Sequence, residues 1–177
     1  GGARSAHRGA APGGGCRGVV TGVGRGLSPH GAGVGEASLA LVDAGQVQAL
    51  LGRTGMAAHS EHTCTDPLAF ATQLEQVMER GYATDEGEHE LGVRCVAVAV
   101  PRAPSQIALS VSGPATRMTD DLVARAVPLL TDAARRLSDD LASGQASRSR
   151  AGHLGPGGTL TSMASLYTVL CTDMEIL

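Results

Sequence analysis

The stretch GVRCVAVAVPRAPSQIALSVSGP, residues 92–114, holds two apolar runs separated by a short break with two prolines. Residues 93–100 are rich in valine, a β-branched residue that suits a pleated, buried surface. Residues 107–112 have the same character, and PRAPSQ between the runs turns the chain, because Pro101 and Pro104 cannot donate to a ladder. The two runs predict neighbouring strands joined by a hairpin-like connection. Side chains alternate along a strand, so Val93, Cys95, Ala97 and Ala99 share one face, and Arg94, Val96 and Val98 the other. In the second strand Ser110 and Ser112 share a face. A thiol and two hydroxyls inside apolar strands need hydrogen-bond partners. Neighbouring backbone, water or a small polar ligand would each supply them, and packing alone is an equal reading of Cys95.

Outward from the strands, capping residues mark the helices. Asp66 suits an N-cap, Pro67 the first turn and Gly81 a C-cap, which predicts a helix over 67–80 with Leu68, Ala71, Leu74 and Met78 on one face. GVGEASLALV, 33–42, predicts a helix entered at Gly33 and Gly35, and a shorter one follows over 44–51. Thr119 caps a last helix with Asp120 and Asp121 in its first turn and Arg135 and Arg136 near its end, as the helix dipole favours. Pro128 predicts a kink or a split near Val127. The order helix, helix, strand, strand, helix predicts an α+β fold, an antiparallel sheet covered by helices. Residues 1–26 are glycine-rich and predict a flexible segment, or at most a short strand near 19–23. Residues 27–142 form the compact unit, and 143–177 read as a Ser/Gly/Arg-rich linker and a tail without an assigned role.

Composition bounds the function classes. A chain of 177 residues with 42% hydrophobic content has material for one domain with a core. It has no Trp, one Phe and two Tyr, which argues against base-stacking modes of nucleic-acid binding. The net charge of −3 gives no general attraction to phosphate backbones. Cys16, Cys64, Cys95 and Cys171 form no CxxC pair, and no apolar run reaches the roughly 18 residues that cross a membrane. A reduced, cytoplasmic setting follows, with no membrane partner.

Four patterns invite chemistry. HSEHTC, with His59, His62 and Cys64, has metal-ligand spacing, but a zinc site needs three or four ligands, and exposed loop residues are the simpler reading. A thiol hydrolase built from Cys95 and His89 is conceivable, although a strand-buried thiol without an adjacent base is inert. The glycine-flanked turn GAGVGEA, 31–37, could present backbone N–H groups to an anion, and it lacks the GK[ST] of a phosphate-binding loop. In the acidic loop DEGEHE, 85–90, Glu86, Glu88 and Glu90 read as solvated turn residues.

Three segments, LSPHGAGVGEASLAL (27–41), TDPLAFATQLEQVMERGYATDEGEHELGVRCVAVAV (65–100) and ALSVSGPATRMT (108–119), together resemble the C-terminal effector-binding domain of IclR-family bacterial transcriptional regulators. RGYATDEGEHELGVRC with SVSGPATR is the specific part, and the resemblance runs over residues 27–142. It implies a GAF-like, profilin-like fold: a curved antiparallel sheet flanked by helices, with a pocket for a small organic acid or an aromatic effector. Carried over by motif, the pocket residues are Gly33 and Val34 through their backbone, with Asp85, Cys95, Ser110 and Ser112. The implied protein is no enzyme and needs no cofactor or metal. It senses a small molecule, works as a homodimer or homotetramer, and controls transcription of catabolic genes as repressor or activator. DNA would be bound through a winged helix-turn-helix, which cannot be read in this sequence. Two departures stand out: Glu36 occupies the position where the family usually has lysine, and PRAPSQ is about two residues shorter than its family counterpart.

Overall fold

A computed structural model describes residues 5–12, 26–151 and 166–171 of the chain, with side chains over 27–143. A six-stranded sheet runs in the order β2-β1-β6-β5-β4-β3. Its strands are β1 (Ser5–Pro12), β2 (Gly26–Leu27), β3 (Ala83–Glu86), β4 (Val93–Ala99), β5 (Ile107–Pro114) and β6 (Leu166–Cys171). Pairing is antiparallel from β3 through β4 to β5, and again between β1 and β2. β6 runs parallel to both β1 and β5. The helix between β5 and β6 makes that parallel step possible, since parallel neighbours need a long crossover. The α+β expectation holds, with β1, β2, β3 and β6 as strands that the residue pattern did not show. The strand expected near 19–23 lies outside the described residues.

There are four helices among the described residues, α1 (Gly33–Leu39), α2 (Ala44–Thr54), α3 (Pro67–Arg80) and α4 (Asp120–Ala151), of which α1 and α4 lie on the sheet while α3 packs on α1 and α2 on α3. The caps act as the sequence implied. Asp66 Oδ1 accepts from Leu68 N–H at 2.9 Å, and Gly81, at φ 82°, closes α3 with its N–H donating to Val77 O. Asp43 caps α2 in the same way, accepting from Gly45 N–H at 2.9 Å. The buried stripe of α3 is Phe70, Leu74 and Val77, spaced i, i+4, i+7. Of the face expected from the sequence only Leu74 is in the core; Leu68 and Met78 are exposed.

Two differences concern α4. Pro128 does not divide it, because the helix continues through the proline. An interior proline costs about 3 kcal/mol. Leu122, Val123, Ala126, Leu130 and Ala134 are all buried on either side of it, and each of the larger ones contributes roughly 1.5–3 kcal/mol by burial. Packing wins, and Pro128 sits on the exposed side. The helix also runs to Ala151, through the segment from 143 that composition marked as linker. Its Ala, Gln and Arg residues are good helix formers.

Strand alternation sorts the side chains into two unlike faces. Val96, Val98, Ile107, Leu109 and Val111 pack with α4. Ala83, Ala97 and Ala108 face the other way and pack with Val34 and Ala37 of α1. These small residues let α1 lie close on the sheet. Gly35 lets the turn before α1 fold back on the helix, since a Cβ there would collide with the Pro29 backbone. Arg94, on the α4 side, ties three elements together: it pairs with Glu86 of β3 and Asp120 of α4, each at 2.7 Å, and donates to Met118 O at 2.7 Å.

Candidate functional site

The small-residue face carries the polar groups. Strand register sets Asp85 opposite Cys95 and Cys95 opposite Ser112, a single row across three strands. Ser110 lies opposite Ala97, two residues along on the same face. All four are buried. Gly33 opens α1 directly over the row, since a side-chain carbon placed on it would sit 3.6 Å from Cys95 Sγ and 3.6 Å from Asp85 Cβ. Val34 follows, with its side chain in the alanine-lined core. The six residues singled out by the resemblance are thus gathered in one place.

Burial pushes the Cys95 thiol up to about 12, and the Asp85 charge pushes the same way, against the Ser112 and Ser110 hydroxyls beside the sulfur. The thiol stays protonated, and the groups acting on it include no histidine. Nothing supports the hydrolase reading with His89. Cys64 is half-buried and, like Cys95, a free thiol. Among the described residues no group of three or more His, Cys, Asp or Glu is placed to hold a metal ion, so His59, His62 and Cys64 gain no support as a zinc module.

A cluster of carboxyls joins the row at its Asp85 end. Glu36, on α1, is completely buried, and Glu88, expected as a solvated turn residue, is buried as well. Gln73 of α3 bridges them: its Nε2 donates to Glu36 Oε2 at 3.1 Å and to Glu88 Oε1 at 3.3 Å. Burial, then the neighbouring Glu88 carboxyl, raises the Glu36 pKa well above the ordinary value. Burial and the Asp85 charge raise Glu88 to about 7. Asp85 rises to about 6 through burial, although the Glu88 N–H donates to its Oδ1 at 2.7 Å. Three acids therefore share one buried place, and part of their charge is neutralised by protons near neutral pH.

Loop 59–63 latches the acidic loop. Ser60 Oγ donates to Gly87 O at 2.7 Å, and Thr63 Oγ1 donates to Glu88 O at 2.6 Å while accepting from His59 N–H and Ser60 N–H. His30 is buried against this loop, donating from Nε2 to Ala57 O at 3.0 Å, which leaves Nδ1 to accept from Ser28 Oγ at 2.8 Å. The His30, His59 and His89 rings line up, with centroids 5.9 and 5.1 Å apart. Of these supporting residues, Glu36 alone had a signal in the sequence, as an acid inside an otherwise small and apolar helix. Gln73, Ser60 and Thr63 act across 15 to 37 positions of sequence separation, which no local pattern reveals.

A separate cavity of about 800 Å³ opens between α2 and α3, lined by Val47, Leu51, Phe70, Leu74 and Met78 among others. It contains none of the six site residues. No helix among the described residues is long and apolar enough to cross a membrane.

Known proteins with this geometry agree among themselves. The family model described as "Bacterial transcriptional regulator IclR C-terminal" matches residues 17–139, more than half of the chain. The acetate operon repressor of Salmonella typhimurium is 39% identical over 119 residues, which cover 66% of this chain and 43% of that protein. Among solved structures, the C-terminal domain of the E. coli transcriptional regulator KdgR is 33% identical, with a TM-score of 0.62 over 67% of this chain and 74% of that one. The inducer-binding domain of the Acinetobacter transcription factor PobR, a double mutant in complex with 3-hydroxybenzoic acid, is 27% identical, with a TM-score of 0.61 over 66% of this chain and 69% of that one. The chain spans less than half the length of the curated relatives it matches. The chain belongs to the IclR family of bacterial transcriptional regulators, and the matched part is that family's C-terminal, effector-binding domain.

Proposed function

We propose that residues 27–142 sense a small organic or aromatic acid through Gly33, Val34, Asp85, Cys95, Ser110 and Ser112, and that the whole protein, a cytoplasmic homodimer or homotetramer, uses this signal to control transcription of catabolic genes. One observation carries the reading: on the small-residue face of β3, β4 and β5 the polar side chains are Asp85, Cys95, Ser110 and Ser112, the positions the family motif marks. Asp85, Cys95, Ser110 and Ser112 supply a compact set of hydrogen-bonding groups, while the first N–H groups of a helix, here at Gly33 and Val34, have no intrahelical acceptor. The PobR domain, as a relative with a hydroxylated aromatic acid bound, supports that ligand class. An effector acts by binding one of two arrangements more tightly and so shifting the population between them. DNA contact falls to a winged helix-turn-helix beyond this chain.

Thermal-shift and calorimetric titration with small aliphatic and aromatic acids tests the reading. Wild type should bind at least one of them, and Cys95→Ala or Ser112→Ala should weaken that binding by about tenfold, the loss of roughly one good hydrogen bond. Equal binding by wild type and both variants would move the site elsewhere.

A further inference from the structure

Packed interiors leave few voids larger than a water molecule, yet α2 and α3 meet only lightly and hold about 800 Å³ between them. That is the size of a small-molecule site. Its floor is core: Leu39 from the end of α1, Val47 and Leu51 from α2, and Phe70 and Leu74 from α3 are all buried and all line it. Its rim is apolar as well, with Leu68 80% exposed and Met78 62%, surface that stays in water until something covers it. α3 thus carries a second apolar stripe beside the one it gives to the core: Leu68, Ala71 and Met78, at i, i+3 and i+10, with Glu75 between them.

The chemistry of the lining selects the occupant. Glu75 is its one charged residue, and it forms no ion pair with another described residue. No Arg or His stands in the lining to receive an acid, and Gln48 and Thr65 are its other polar side chains. Met56 and Met78 add flexible, polarizable surface that adapts to different shapes. A twofold pairing of this face with itself would bring the Glu75 carboxyls of two copies to one apolar interface, which argues against a second copy as the cover. We propose that the α2–α3 cavity is a second binding site, for a small hydrophobic cation: an amine or quaternary ammonium whose ring body lies on Val47, Leu51, Phe70 and Leu74 and whose charge meets Glu75. It selects the opposite charge from the acid site proposed above and does not depend on it.

Amide chemical-shift mapping of the full chain at neutral pH tests this with three probes of one shape: 2-naphthylmethylammonium, 2-naphthalenemethanol and 2-naphthoate. The ammonium should shift Val47, Leu51, Phe70 and Leu74 and bind about threefold to fivefold tighter than the alcohol, as a partly exposed charge pair contributes. Naphthoate should be the weakest of the three at these residues. Glu75→Gln, an exposed change, should bring the ammonium down to the level of the alcohol and leave the alcohol as it was. Ala71→Trp fills the space from an exposed position and should remove both, with the urea unfolding midpoint kept. Absence of shifts at these residues with the ammonium, naphthoate bound there as tightly as the ammonium, or a preference that survives Glu75→Gln overturns the inference. So does sedimentation velocity if Leu68→Ser and Met78→Ser turn an oligomer of the chain into monomers, since a second copy then covers the cavity.

Discussion

The two faces of one sheet are built from the same strands and follow opposite rules. Toward α4, β4 and β5 present Val96, Val98, Ile107, Leu109 and Val111, large branched side chains that close on Leu122, Val123 and Leu130. Toward α1 the alternate residues are Ala97, Cys95, Ala108, Ser110 and Ser112, small and partly polar. The first face maximises buried apolar area, which is what holds the domain together. The second gives up area so that a helix can approach closely and polar groups can meet. Stability and recognition are thus divided between alternate residues of the same strands.

Substitutions on opposite faces of β5 break this contrast most visibly. Leu109→Ala empties the packed face and should cost about 2–5 kcal/mol, read from urea unfolding with the slope unchanged. Ser112→Ala should affect binding more than folding. A loss of stability from Ser112→Ala as large as that from Leu109→Ala would mean that both faces serve packing alone.

The acidic end of the small face sharpens the contrast through pH. Asp85 rises from an ordinary 3.8 to about 6 and Glu88 from 4.5 to about 7, so between these values the folded chain binds more protons than the unfolded one. Stability from this source is complete below the unfolded values and is lost as pH rises through the folded ones. Unfolding at pH 5 and pH 8 should differ by roughly 2–4 kcal/mol in favour of pH 5, because each pKa unit between the folded and unfolded chain is worth about 1.4 kcal/mol. Glu36→Gln should flatten that slope by stabilising the chain chiefly at pH 8, whereas no variant of the packed face should alter it. A chain equally stable at both pH values contradicts the acidic cluster.

The smallest effect belongs to Ser110→Ala. Its hydroxyl has the Cys95 thiol, a weak acceptor, in place of an oxygen or nitrogen partner, so its removal forfeits little and should change stability by less than about 0.5 kcal/mol. A loss above about 1 kcal/mol, at the same unfolding slope, would show that the hydroxyl is satisfied in the effector-free protein.

Much of this division was legible in the residues. Alternation placed Cys95, Ser110 and Ser112 on one side of two neighbouring strands, and the caps Asp66, Gly81 and Thr119 marked both ends of α3 and the start of α4. β3 was hidden because four residues, ATDE, carry no alternation strong enough to read, and only pairing with β4 makes them a strand. β6 was hidden because its partner β1 lies at the far end of the chain, where glycine-rich composition argued for flexibility. Glu88 read as solvated because acidic loops usually are; its burial comes from the latch by Ser60 and Thr63, more than twenty residues earlier. The α3 stripe was displaced because Phe70 and Val77 were passed over for Leu68 and Met78, which flank the cavity beside α2.

Amide chemical-shift mapping during titration with an acid that binds tests the division most directly. The expected result is that Gly33, Val34, Asp85, Cys95, Ser110 and Ser112 shift together, while α4 and the α2–α3 cavity around Val47 and Phe70 stay still. Shifts concentrated at Val47, Leu51 and Phe70, with the Asp85–Cys95–Ser112 row unmoved, would contradict it and place recognition in the apolar cavity instead.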